Sequence, residues 1–154
     1  IGNIPAALSV VRASDVQLAR QSTNIDESLR RVPGLAMRVQ TGGSSRSTVS
    51  IRGAGAQSSF GARGVRILVD GIPKNNAGGS AQDFINIDLA SVQRVEVVRG
   101  PSSALYGNQA GGVINFITEE GTDTPVREVR QWAGSYGYFK SHVKAGGRVG
   151  NVSY

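Results

Sequence analysis

Two arginines, Arg52 and Arg99, each follow an apolar run and precede a glycine, in Ile51-Arg52-Gly53 and Val97-Val98-Arg99-Gly100. That spacing puts a guanidinium where a strand leaves a core. A solvated strand-end arginine is the plainer reading. Gly53-Ala54-Gly55 has the composition of a loop that cradles phosphate through backbone amides. No Gly-Lys-Ser/Thr ending follows it and no helix opens there, so a nucleotide site is not expected. Asp70 falls in a turn, Asp83 and Asp88 flank an apolar segment, and His142 lies on the polar face of a strand. None of them forms a set of nucleophile, base and orienter. With no cysteine and a single histidine, disulfides, thiolate chemistry and a His-rich metal site are all excluded. The chain is expected to be no enzyme and to hold no metal and no cofactor.

Charge supports a binding role but does not choose the partner. The 154 residues carry a formal charge of +6, which would suit nucleic acid, an anionic membrane or an anionic ligand. Arg12, Arg20, Arg30, Arg31, Arg38, Arg46, Arg52, Arg63 and Arg66 are spread singly or in pairs. A nucleic-acid footprint would concentrate them. Most are therefore read as solvated surface, and a basic nucleic-acid-binding module is kept as the alternative. No apolar stretch nears the roughly 20 residues of a spanning helix, and Ile1 opens no signal sequence. The start is read as lying inside a mature protein.

The elements that position these residues are short. Leu8 to Val11 is a strand candidate, and Ser14 with Gln17 has the form of a capping box for a helix over 15–19. Asn24 with Glu27 opens a second helix, which Pro33-Gly34 ends. Met37 to Gln40 and Thr48 to Ile51 read as strands around a polar loop. Val65 to Val69 leads into Asp70-Gly71, a strong hairpin signal, and Pro73 confines the returning strand to an edge. Asp88 to Ser91 suits one helical turn before a strand over Val92 to Val98, and Pro101 opens a short helix ending near Tyr106-Gly107. Val113 to Ile117 is an apolar strand. Beyond Val126, Phe139, Val143, Ala145 and Val149 share one parity while Lys140, His142, Lys144 and Arg148 take the other. That describes a strand with one apolar and one polar face. Ser135-Tyr136-Gly137 makes the turn before it, and Trp132, Tyr136 and Tyr138 suit either an interfacial aromatic girdle or cross-strand packing.

Four segments occur in a fixed order: Val32-Pro33-Gly34-Leu35, Ile51-Arg52-Gly53, Leu68-Val69-Asp70-Gly71-Ile72-Pro73, and the block Gln93 to Pro101 continuing through Ser102-Ser103-Ala104-Leu105-Tyr106-Gly107 and Gly111-Gly112-Val113-Ile114-Asn115. Together they resemble the plug domain of TonB-dependent outer-membrane receptors, over roughly residues 4–120. The implied fold is α+β: a small mixed β-sheet plug with short helices in residues 1–122. Residues 123–154 resemble the first strands of the surrounding outer-membrane β-barrel.

The resemblance implies a transporter gate in the outer membrane of a Gram-negative bacterium, with the plug facing the periplasm; a free-standing plug-like interaction protein is kept as a further alternative beside the nucleic-acid-binding module. The implied substrate is a scarce nutrient, most commonly an iron-siderophore complex. Arg52 and Arg99 match plug arginines that pair with acidic residues of the barrel wall, and Glu96 is placed as a residue that orients them. Arg46, Gln57, Ser58, Phe60, Lys74, Asn75, Asn76 and Gln82 fall on loops expected to form the substrate-facing apices. The implied partners are the chain's own barrel, the small-molecule substrate and a TonB-type periplasmic energy-coupling protein. That protein would act through an N-terminal segment not recognisable in this sequence and expected upstream of Ile1. No nucleic acid is expected, and unpaired edges over 127–149 would favour self-association.

Overall fold

The computed structural model describes residues 7–17, 29, 32–39, 47–54, 64–74, 87–100 and 111–154. The chain divides into two compact units, residues 1–118 and 119–154. The first is built on β1 (Ala7–Arg12), α1 (Ala13–Gln17), β2 (Leu35–Val39), β3 (Ser47–Ile51), β4 (Val65–Val69), β5 (Ile72–Pro73), β6 (Val92–Arg99) and β7 (Gly112–Thr118). Five of these strands form one sheet in the order β1-β6-β7-β4-β5. The β4–β7 pair is parallel and the others are antiparallel. β2 and β3 pair separately as an antiparallel hairpin. A small mixed sheet with a short helix is the α+β plug architecture expected from the sequence.

Period-two alternation decides which face of the sheet is buried. Val65 and Ile67 of β4, Val95 and Val97 of β6, and Ile114 and Phe116 of β7 join Val11 in the core. Val16 of α1, Leu29, Val32, Leu35, Val49 and Ile51 pack with them, so the β2–β3 hairpin and the helix supply apolar partners for this sheet face. The opposite face is mixed: Leu8 and Val10 are exposed, while Leu68 and Val113 are buried.

Turn chemistry sets the boundaries. Asp70 and Gly71 both adopt positive φ, 50° and 78°, as a two-residue turn of type I′ requires. Pro73 keeps β5 to two residues at the sheet's edge. Gly34 has φ 78° behind Pro33, and the Leu35 amide donates to the Val32 carbonyl at 3.2 Å, the signature of a type II turn. Three sequence readings shift. The first helix starts at Ala13, directly at the end of β1, so Ser14 lies inside its first turn instead of capping it. β2 begins two residues earlier than read, because Leu35 is buried against the core and pairs with Ile51. The segment Asp88 to Ser91 forms a turn held by Ser91 N–H to Asp88 O at 3.1 Å. The helices read over 24–31 and 101–107 lie outside the described residues, apart from buried helical Leu29.

The second unit is a hairpin of β8 (Val126–Ala133) and β9 (Phe139–Gly146), in register from Val126↔Gly146 to Ala133↔Phe139. A 3₁₀ turn at Ser135–Gly137 joins them. β10 (Arg148–Val149) and β11 (Val152–Ser153) form a short second hairpin, so the strand read as continuous to Val149 breaks at Gly146 and Gly147. On β8–β9 the odd positions are exposed and the even ones half-buried, apart from exposed Val126 at the start of β8. Val129, Val143 and Phe139 are about two-thirds or more exposed. The face that is partly covered carries Glu128, Arg130, Lys140, His142 and Lys144, the reverse of a hairpin folded onto an aqueous apolar core.

Candidate functional site

One end of the five-stranded sheet gathers the signature segments. Ala7, Arg99, Gly112 and Val65 lie side by side across β1, β6, β7 and β4. At that end the Gly111 amide donates to the Gly64 carbonyl at 2.9 Å. A Cβ added to Gly111 would sit 2.9 Å from the Ala54 Cβ, so the residues after β3 reach the same place. Gly112 is required outright. Its φ is +134°, and a Cβ there would overlap the carbonyl oxygen of Val98; only glycine lets β6 and β7 approach this closely.

Arg99 ties this end together. Its guanidinium donates to the Pro33 carbonyl at 2.6 Å and to Ser9 Oγ at 2.8 Å. One side chain thus joins β6 to β1 and to the Val32–Leu35 turn. Arg52 reaches the same turn through its backbone: its N–H donates to the Gly34 carbonyl at 2.8 Å. Ile51 and Ala54 close a two-residue turn by reciprocal bonds of 3.1 and 3.0 Å, with Arg52 and Gly53 both at positive φ. A non-glycine residue in this region is uncommon and carries strain, and here the arginine side chain is left exposed. The two arginines meet consecutive carbonyls of one turn by different atoms. Beside them a cleft of about 340 Å³ is lined by Ser9, Val10, Val11, Asp15, Val32 and Pro33.

Glu96 occupies a different place from the one read in the sequence. Its carboxylate accepts from Arg94 Nε at 2.8 Å. Alternation along β6 puts Glu96 with Arg94 on the sheet face opposite Arg99, whose guanidinium is held instead by contacts that include Ser9 and Pro33. The sequence carried no signal for Ser9, because its role depends on the β1–β6 register.

At the sheet's other end, Asp70 fastens the turn between β4 and β5. Its two carboxylate oxygens accept from the Thr118 amide and the Thr118 hydroxyl, both at 2.8 Å. The Asp70 amide donates to the Phe116 carbonyl at 2.9 Å, and Gly71 N–H reaches Asn115 Oδ1 at 3.3 Å. The Asp-Gly signal marked a turn but not this second bond set, which binds it to the last residue of the first unit.

Of the loop residues, Arg46, Gln57, Ser58, Phe60, Asn75, Asn76 and Gln82 lie outside the described residues. Lys74 is exposed, and its amide donates to the Ile67 carbonyl at 2.9 Å. Ala54 and Gly64, which flank residues 55–63 in the sequence, sit at the Arg99 end, and β5 runs back toward that end through its antiparallel pairing with β4. Among the described residues no group of three or more His, Cys, Asp or Glu side chains is arranged to hold a metal. None of the described helices is long and apolar enough to cross a membrane, which says nothing about strands.

On the β8–β9 face, Glu128 pairs with Arg130 and Lys144 with Glu119. Lys140 Nζ lies 5.3 Å from the centroid of the Trp132 ring. Trp132 is therefore on the charged face and packs across the hairpin, while Tyr136 projects fully exposed from the turn.

The profile of the TonB-dependent receptor plug domain matches residues 1–113, nearly three-quarters of the chain. The chain belongs to that family. Solved relatives agree with the plug fold. The chain is 28% identical to the ferric yersiniabactin uptake receptor FyuA of Yersinia pestis, with a TM-score of 0.72, covering 95% of this chain and 22% of the receptor. It is 26% identical to the siderophore receptor PirA of Acinetobacter baumannii, with a TM-score of 0.65 and coverage of 91% and 22%. FpvA of P. aeruginosa, solved with pyoverdines bound, gives 26%, 0.67, 94% and 18%. The chain thus spans about a fifth of the length of these receptors. In plug terms, the Arg99 end is where three of the four signature segments meet, and Asp70 of the remaining one holds the end at which the plug sheet finishes.

Proposed function

We propose that this chain is the gate of a TonB-dependent transporter in the outer membrane of a Gram-negative bacterium, taking up a ferric siderophore. Residues 1–122 act as the plug and residues 123–154 begin the barrel. The observation that carries this reading is the match to the ferric yersiniabactin uptake receptor over 95% of the chain, which continues past the plug profile into the β8–β9 hairpin. The character of that hairpin supports it: Val129, Phe139 and Val143 are exposed on one face, and its charged residues other than Arg127 occupy the opposite face. An outer-membrane strand turned between lipid and lumen has this alternation.

The gate works by binding and rearrangement, without covalent chemistry. The sheet closes the pore, and Arg46, Gln57, Ser58, Phe60, Lys74, Asn75, Asn76 and Gln82 present polar contacts to the arriving complex. A TonB-type periplasmic protein pulls on a segment preceding β1. β1 is suited to respond, being an edge strand hydrogen-bonded to β6 alone within the sheet. Arg52 and Arg99 are the latch to acidic groups of the barrel wall. Arg52 is presented to solvent by its turn, and Arg99 couples the latch to β1 through Ser9. Deleting the gene should abolish growth on one ferric siderophore under iron limitation and abolish energy-dependent uptake of labelled iron supplied as that complex. Unchanged uptake across hydroxamate, catecholate and mixed-type siderophores would contradict the assignment of substrate class.

A further inference from the structure

The cations of the second unit are unevenly partnered. Arg130 pairs with Glu128, Lys144 pairs with Glu119, Lys140 stands over the Trp132 ring, and Arg148 Nε donates to the Gly150 carbonyl at 3.1 Å. Arg127 is exposed and has no partner among the described residues. Its position differs as well. Arg127 pairs with Ala145 across the hairpin, and alternation puts both on the face that exposes Val129, Val143 and Phe139.

That face has defined ends. The row of Ala133 and Phe139 lies six residues along β8 from the row of Arg127 and Ala145, about 20 Å at the rise of a strand. Between the rows the face carries Val129, Gln131, Ser141 and Val143 and no charge. Past Phe139, the turn presents fully exposed Tyr136. Past Ala145, Gly147 and Tyr154 exchange backbone hydrogen bonds of 3.0 Å, and the Tyr154 ring occupies the space a Cβ on Gly147 would point into. Tyr154 is itself exposed. Aromatic rings therefore bracket a stretch of roughly 25 Å, the height of the apolar band on an outer-membrane strand. Arg127 sits just inside the Tyr154 end. There its apolar stem can lie along the strand while the guanidinium reaches the headgroup level, and a charge costs far less than at the bilayer midplane.

We propose that Arg127, at the end of the hairpin marked by Tyr154, binds the phosphate of an anionic phospholipid in the leaflet on the side where β8 begins. This rests on the reading of residues 123–154 as the start of the barrel. The planar fork of the guanidinium matches a pair of phosphate oxygens. No carboxylate competes for it: Glu119 and Glu128 are held by Lys144 and Arg130, and neither Glu120 nor Asp123 pairs with Arg127.

The test uses the intact receptor in bilayers containing a trace of phosphatidylglycerol with a photoactivatable headgroup. Lipid adducts are read by mass spectrometry on peptides spanning 145–154, which do not include the substituted position. Arg127→Gln should lower their yield about fivefold, the contribution of one arginine at an anionic lipid surface. Arg127→Lys should retain most of the yield, and Arg130→Gln, on the opposite face of the same strand, should leave it unchanged. In wild type, raised salt should lower the yield by screening. Equal yields from wild type and Arg127→Gln, an equal fall in Arg130→Gln, or insensitivity to salt overturns the proposal. A nitroxide at Val129→Cys reports separately on the barrel reading, since a lipid-facing label is relaxed by oxygen and not by a water-soluble nickel chelate. A label in lipid without the Arg127 effect sinks this inference alone, whereas a label open to the chelate sinks the barrel reading with it.

Discussion

Removing the Arg99 side chain should loosen the plug even with no barrel around it. In Arg99→Ala the bonds to the Pro33 carbonyl and to Ser9 Oγ disappear together. A hydrogen bond to a charged group contributes about 1.5–3 kcal/mol when buried. Pro33 is exposed and Arg99 only half-buried, so water replaces part of the loss, and a total of about 2 kcal/mol is expected. With a urea m-value of about 2 kcal/mol/M, the unfolding midpoint of the 1–154 chain should fall by roughly 1 M, as followed by far-UV circular dichroism. Ser9→Ala should cost about half as much. The double variant should show a coupling of about 0.5–1 kcal/mol, as expected for groups in contact. Arg99→Lys, which keeps the charge but not the fork, should fall between wild type and Arg99→Ala. A midpoint for Arg99→Ala within error of wild type, with no coupling to Ser9, would refute an arginine that ties three segments together and leave only a role at the barrel wall.

Gly112→Ala should destabilise the plug by about 3–5 kcal/mol, combining strain at φ +134° with overlap against the Val98 carbonyl. Gly71→Ala, at φ +78° in open space, should cost only about 1 kcal/mol; equal losses in urea melts would disprove the close β6–β7 approach. Asp70→Asn keeps an acceptor for the Thr118 amide and tolerates the left-handed backbone, so Thr118 amide exchange should stay slow, whereas in Asp70→Ala it should quicken by about tenfold or more. Hydrogen exchange read by NMR separates the two variants.

Local chemistry was legible where a single residue dictates the backbone. Asp70-Gly71, Pro73 and Pro33-Gly34 all appear as the turns or edges their dihedral preferences demand, and the strands read over Val92 to Val98 and Val113 to Ile117, with the alternation beyond Phe139, are strands in the structure. What could not be read depends on register between distant segments. Ser9 meets Arg99 only because Ala7 pairs with Arg99 across β1 and β6. Glu96 belongs to Arg94 because a strand sends neighbouring side chains to opposite faces. Arg66 looked like any other arginine until its flanks, Leu68 and Val113, proved buried on the face away from the core. The order of the four signature segments carried the family. The meeting of three of them at the Arg99 end of one sheet is a fact of topology.

Conductance across a planar bilayer tests the gate most directly, comparing the intact receptor with a version lacking residues 1–118. The account predicts a closed intact receptor and, once the plug is removed, a stable ohmic conductance of the size expected for a large water-filled barrel. Equal conductance from the two proteins would contradict the claim that this domain closes the pore.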